Sequence, residues 1–233
     1  MFNFKNSVVL ILVMSLALSG TITGTVTFEG KAPKRKKLKM NADPVCGSAH
    51  KTPVLDEKLI LNEKNQIKNV LVWVEGAKGS SPKSAAVLDQ NGCIYSPHVL
   101  GIQKGQDLLI KNSDATLHNI HSMSKTNSSF NFAMPKVVKE KTVSFNKVEE
   151  PFAIKCDVHP WMKSYVSVFD HGFFAVTDEN GDYTIEGVPA GEYEVVAWQE
   201  RFKMKGTLTQ KVSVKDGSTT ADFTFKKPSK KKK

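Results

Sequence analysis

Residues 152–169 read Phe152-Ala153-Ile154-Lys155-Cys156-Asp157-Val158-His159-Pro160-Trp161-Met162-Lys163-Ser164-Tyr165-Val166-Ser167-Val168-Phe169. The apolar runs at 152–156 and 165–169 predict two strands, and the polar and Pro-containing residues between them predict the loop that joins them. That loop carries a thiol, an imidazole and a thioether. A second imidazole, His118, lies upstream in Leu117-His118-Asn119-Ile120-His121. Two imidazoles and a thiolate with a weak thioether form the donor set that a single copper ion prefers. His118, Cys156, His159 and Met162 are therefore the candidate ligands.

The rest of the chain reads as short strands with turn punctuation. Residues 21–28 alternate β-branched or apolar residues with small or polar ones, and residues 69–75 form a more continuous apolar run. Further strands are expected at 99–102, 107–112 and 141–145. Asn180-Gly181 is a type I′ hairpin signal, Val188-Pro189-Ala190-Gly191 marks another tight turn before 194–198, and strands at 208–214 and 219–225 follow. No apolar period of 3.6 residues is sustained after the N-terminal segment. The fold class is all-β, with sandwich architecture.

The first nineteen residues have another character. Lys5 precedes a nearly apolar stretch, residues 7–18, and Ala17-Leu18-Ser19 supplies small residues at the −3 and −1 positions of a cleavage site. Residues 1–19 are read as a signal peptide and the protein as periplasmic or secreted, with no integral membrane span after cleavage. Export permits disulfides. If Cys156 is a metal thiolate, Cys46 and Cys93 are left either to pair, closing a loop worth roughly 4 kcal/mol, or to stay as free thiols.

The net charge of +10 is concentrated in two places. Lys31, Lys34, Arg35, Lys36, Lys37 and Lys39 form one cluster, and Lys226, Lys227 and Lys230 to Lys233 form the other. With these and Lys5 set aside, 20 basic residues face 23 acidic ones. The two segments are expected to be flexible, serving either as solvated chain or as docking sites for an acidic partner or anionic surface. Nucleic acid is not an expected partner of an exported chain.

Residues 86–169 resemble the plastocyanin and azurin family of cupredoxins. Lys104-Gly105-Gln106, the turn Asn112-Ser113-Asp114 leading to His118-Asn119, and Cys156-Asp157-Val158-His159 with Met162 carry the resemblance. It implies a cupredoxin Greek-key β-sandwich at 85–169, with His118, Cys156 and His159 as equatorial ligands and Met162 as axial ligand. Asn119 would tie the ligand loops together. Only Pro160 and Trp161 separate His159 from Met162, where plastocyanins have four residues. That spacing is similar to the binuclear centre of cytochrome oxidase subunit II, but the second Cys of such a centre is replaced by Phe152. Pro160 would stiffen the loop, and Trp161 would shield the metal, meet a partner or fill the core. His121 and His98 are possible auxiliary contacts, although His121 should point to the opposite face of its strand.

Thr177-Asp178-Glu179-Asn180-Gly181-Asp182-Tyr183 and Val188-Pro189-Ala190-Gly191-Glu192-Tyr193 resemble the carboxypeptidase regulatory-like, or transthyretin-like, β-sandwich. That family opens with a strand like 21–28. The expected organisation is thus N-terminal strands at 20–84 belonging to that sandwich, the copper module at 85–169 inserted in or adjacent to it, its remainder at 170–226, and a basic tail at 227–233; three domains in series is the alternative. The resemblances imply a mononuclear, type 1-like copper protein working in one-electron transfer between redox proteins. No nucleophile, paired carboxylate or phosphate loop suggests an enzyme. A copper-binding or delivery protein and a non-catalytic recognition or structural sandwich are the rival readings.

Overall fold

The computed structural model describes residues 18–79 and 85–226. The tail 227–233 and all but the last two residues of the segment read as a signal peptide lie outside the described residues. The chain is all-β, built as two sandwiches, the first of which pairs a strand from early in the chain with strands from its last third. Strand Ser19–Glu29 pairs antiparallel with Asp182–Pro189 and parallel with Gly217–Thr220 and then Phe223–Lys226. Facing it is a sheet ordered Phe174–Val176, Leu71–Glu75, Gly191–Trp198, Leu208–Val214, antiparallel throughout.

The second sandwich lies between them in sequence. One sheet runs Asn131–Met134, His118–Ser122, Glu149–Lys155, Lys163–Phe169, Val99–Gln103, and the other runs Glu140–Ser144, Asp107–Asn112, Ala86–Gln90, Tyr95–Ser96.

The continuous apolar run around Leu71–Glu75 has a plain cause. Val72 and Val74 enter the core of the first sandwich with Ile22, Val26 and Val195. Leu71 and Trp73, on the opposite face, pack with Val196 and Trp198 against Val99, Tyr165 and Phe169 of the second. A strand buried on both faces cannot alternate in hydrophobicity. The same two-faced burial lets the sandwiches lean on each other through a third apolar layer.

Three sequence expectations need correction here. Asn180-Gly181 does not close a hairpin: Phe174–Val176 and Asp182–Pro189 belong to opposite sheets. A type I′ turn needs two residues with positive φ, yet only Gly181 has it, at 70°. Asp178 Oδ1 accepts the amides of Asn180 and Asp182, and this local bonding sets the corner instead. Nor does 20–84 stay with one sandwich. Its outer parts do, but Leu38, Met40, Cys46 and Val54 join the core of the second.

The first basic segment is also held in place. Arg35 Nε and an Nη donate to the carbonyls of Asp56 and Leu55 at 2.6 and 3.0 Å, and the Lys36 amide donates to the Asp56 carboxylate. Residues 37 and 55 form a β-bridge. The strap so formed passes over one end of the second sandwich. Among the described residues, no helix is long and apolar enough to cross a membrane.

At the other end of that sandwich, buried Glu149 organises the 124–127 turn. It accepts the amides of Lys125, Thr126 and Asn127 and the Ser124 hydroxyl. Burial opposes its charge, but these donors outweigh burial and hold the carboxyl at about 2. A depressed carboxyl stabilises the fold above its unfolded value of 4.5 and loses that contribution as pH falls through about 2. We expect Glu149→Gln to cost about 1–3 kcal/mol at neutral pH and to flatten the loss of stability in this acid window, measured by urea denaturation at a series of pH values.

Candidate metal centre

Cys156 stands just after Glu149–Lys155. Along that strand Phe152 and Ile154 point into the core, so period-two alternation brings the next such position, Cys156, inward at the end of the sheet. His118 opens the adjacent strand, on the same inward face as Ile120. The short loop after Cys156 folds back tightly. The Met162 amide donates to the His159 carbonyl at 2.9 Å, and the Cys156 amide donates to the Met162 carbonyl at 3.3 Å. The two-residue gap before Met162 is thus the interior of a turn.

This architecture gathers His118, Cys156 and His159 and brings the Met162 backbone beside Cys156. His118, Cys156, His159 and Met162 are 0%, 1%, 2% and 1% exposed. The Nδ1 atoms of His118 and His159 are 2.9 Å apart, Cys156 Sγ is 3.7 Å from His159 Nδ1, and the donor atoms of the three lie within 4.8 Å of one another. Each imidazole turns its other nitrogen away. His118 Nε2 bonds Asp114 Oδ2 at 2.8 Å, and His159 Nε2 bonds Asp43 Oδ2 at 3.2 Å. A carboxylate on the far nitrogen fixes the tautomer and aims Nδ1 at the shared point.

Asp114 and Asp43 are positioned by neighbouring backbone. Asn91 to Ile94 form a tight turn in which Gly92 and Cys93 have φ of 66° and 56°. Their amides clamp the two oxygens of Asp114 at 2.7 and 2.8 Å. A side chain at Gly92 would also run into the His50 ring. Asp43 caps the helix Pro44–Ser48, accepting the amides of Val45 and Cys46 and the Thr116 hydroxyl. Cys46 and Cys93 are disulfide-bonded, and Cys46 Sγ lies 3.6 Å from His159 Nε2. One bridge therefore joins the two backbone segments that hold the two carboxylates.

The electrostatics follow from this packing. Burial disfavours the His118 cation, but the Asp114 carboxylate and the Cys156 thiolate outweigh it and raise its pKa to about 9. Burial likewise disfavours the Cys156 thiolate. His118 and the amides of Asn119, His159 and Val158 overcome that and bring the thiol below its ordinary value. His159 moves the other way, depressed by burial and by the neighbouring His118 charge despite Asp43. The metal-free cluster thus places an imidazolium at His118 beside a thiol whose ionisation is favoured and a second imidazole whose protonation is disfavoured.

Asn119 Oδ1 accepts the Asp157 amide at 2.6 Å, joining the His118 strand to the Cys156 loop, and Tyr95 donates to the Asn119 carbonyl. Trp161 is half-buried, its ring 5.0 Å from that of His159 and its Nε1–H donated to the Cys93 carbonyl, whereas Pro160 is exposed. The two auxiliary histidines are not brought to the cluster. His121 faces outward to Asp157 at 2.8 Å, and His98 lies between Glu200 and Glu57, at 2.8 and 3.5 Å. Both carry a carboxylate partner in a direction away from the cluster. Sequence reading missed Asp43, Asp114 and Thr116. Asp43-Pro44 is a helix-start signal, and Asp114 precedes His118 by four residues, but neither pattern alone distinguishes an imidazole partner from an ordinary turn residue.

Two imidazole nitrogens and a thiolate, buried and converging, fit a soft or borderline transition-metal ion. Comparison with known proteins finds similarity to parts of the chain. The model of polysaccharide lyase family 4, domain II, matches residues 153–222. No curated protein matches the sequence. Among solved structures, the copper-containing nitrite reductase of Thermus scotoductus is 23% identical over 40% of this chain and 24% of its own, with a TM-score of 0.32. A Cu(I) form of mutant amicyanin is 18% identical over 42% of this chain and 97% of its own, at 0.33. A purple cupredoxin from Nitrosopumilus maritimus is 24% identical over 36% and 98%, at 0.30. The chain spans about a quarter of the nitrite reductase, so that enzyme's other parts have no counterpart in the match.

Proposed function

We propose that the chain is an exported mononuclear copper protein that passes single electrons between redox proteins without turning over a substrate. The convergence of His118 Nδ1, His159 Nδ1 and Cys156 Sγ, with both far nitrogens tied to carboxylates, supports this reading. Copper held there supplies a one-electron Cu(I)/Cu(II) couple. The protein's part is to keep the donors still. Asp114 and Asp43 hold the rings, Asn119 joins the loops, and the disulfide braces the outer segments, which lowers the reorganisation that an electron transfer must drive. Burial of all four candidate ligands excludes bulk water, and Met162 would supply the weak thioether donor. The same rigidity favours retention of the ion over delivery. Export read from residues 1–19 agrees with a bridge between Cys46 and Cys93, which needs an oxidising compartment.

Loading the full chain with Cu(II), recording its visible spectrum and titrating its redox state tests the assignment. The expected result is a strong thiolate-to-copper band with reversible one-electron reduction. Absence of the band, or ready loss of copper to a weak chelator, would contradict it.

A pH dependence follows from His118. With its value raised to about 9, the Nδ1 proton is present at neutral pH and must leave before that nitrogen can bind a metal, while Nε2–H stays on Asp114. Affinity is therefore expected to rise with pH by about tenfold per unit until roughly pH 9, with about one proton released per ion. Calorimetry in buffers of different ionisation enthalpy measures that release. A pH-independent affinity would contradict the imidazolium assignment.

A further inference from the structure

Neither imidazole of the cluster reaches solvent. Asp114 closes off His118, and the helix Pro44–Ser48, with Asp43 and Cys46, covers the outer edge of His159. Electron tunnelling weakens steeply with distance, so a covered site works through whatever group touches both a ligand and the surface. Trp161 does both. Its ring packs 5.0 Å from the His159 ring, its Nε1–H is pinned to the Cys93 carbonyl, and its other side forms part of the wall of a cavity of about 260 Å³, with buried Met162 and Tyr95 behind it.

The rim of that cavity is basic. Lys36, Lys37, Lys39, Lys58 and Lys163 surround it, and the first four are exposed. Among the described residues, none of the five is within salt-bridge distance of a carboxylate. Three acidic residues line the same wall: Glu57 and Glu200 face His98, and Asp56 accepts the Lys36 amide. The positive surface continues into a neighbouring hollow walled by Arg35, Lys58 and Arg201. The strap that carries most of these cations is fixed by Arg35 and by the bridge at residues 37 and 55, so the charges are presented and not merely tethered.

We propose that Trp161 and the lysine rim form the docking surface for a one-electron redox protein with an acidic face, and that Trp161 lies between that partner and His159. The inference rests on the electron-transfer reading. An apolar, aromatic floor within an exposed charged rim is the anatomy of a transient protein interface. The positive stripe is broader than a small anion would need, and charge complementarity of this kind raises association rates more than affinity. In the step itself one electron crosses between the partner's redox group and the site; one centre is oxidised and the other reduced, no bond forms or breaks, and the Nε2 protons stay on the imidazoles, donated to Asp114 and Asp43.

The test uses the full chain and an acidic plant-type [2Fe–2S] ferredoxin as probe. In stopped-flow mixing with copper-loaded protein, Lys37→Glu/Lys39→Glu/Lys58→Glu is expected to lower the second-order rate about tenfold or more at low ionic strength. The deficit should disappear at high salt and the visible spectrum should be unchanged. A rate insensitive to the three substitutions, with the spectrum intact, would overturn the surface. A second arm needs no copper: in ¹⁵N spectra of the wild-type chain, ferredoxin should shift the Trp161 indole N–H, and the triple variant should lose that shift. An unshifted indole overturns the proposal, as does a shift produced by ferricyanide but not by ferredoxin, which would make the cavity a small-anion site. Absence of a copper band in the first arm counts against the electron-transfer reading alone, because the second arm still judges the docking surface.

Discussion

Cys156→Ser is expected to abolish the thiolate-to-copper band completely and to lower Cu(II) affinity by more than about a hundredfold. Outer partners of a ligand are themselves worth roughly 10–100-fold, so loss of a donor atom at the point of convergence must exceed that. The metal-free fold should survive. A serine hydroxyl at this buried position still meets the amides of Asn119 and His159 that face the sulfur, and the cost should be near the ordinary single-mutant value of about 1 kcal/mol. His121→Ala is the control, because His121 points outward to Asp157. It should leave the band in place. A band that persists in Cys156→Ser, or disappears in His121→Ala while the fold is intact, would reassign the ligands.

Cys46→Ala/Cys93→Ala is expected to give the largest loss of stability. The bridge spans 47 residues of sequence, and in the chain-entropy view closing such a loop stabilises the native state by about 4 kcal/mol. Its position adds a second consequence. Cys46 and Cys93 lie in the two segments whose amides hold Asp43 and Asp114, so without the bridge the strap and the helix Pro44–Ser48 lose a covalent anchor beside His159. Urea denaturation of the metal-free variant should show the loss, and the copper-loaded variant should release its ion faster to a chelator. A change below about 1 kcal/mol would mean that packing of Met40 and its neighbours holds the strap unaided.

The elements that could be read from the chain were those whose signal is local. The apolar runs at 152–156 and 165–169 marked two strands, and strand parity relative to His118 placed His121 on the opposite face. The continuous run at 69–75 was visible as a strand, but not the reason for its continuity, which is a second sandwich against its other face. The turn at 178–182 was legible as a turn and misread as a hairpin, because Asn-Gly does not say whether the next strand returns to the same sheet. The basic run at 31–39 looked like loose chain. Its order comes from carbonyls of Leu55 and Asp56, some twenty residues away, with no trace in local composition.

What the sequence determined by itself was chemistry: one thiol, two imidazoles and a thioether at ends of predicted strands, because donor types and strand parity are carried by single residues and their immediate spacing. What only the tertiary structure decided was the surroundings of those donors. Asp43 and Asp114 became imidazole partners, the disulfide became their common brace, and Trp161 became an aromatic contact between His159 and an open surface. Each depends on segments from different parts of the chain meeting over one end of a sandwich, and such meetings are set by packing of whole sheets, not by any short stretch of residues.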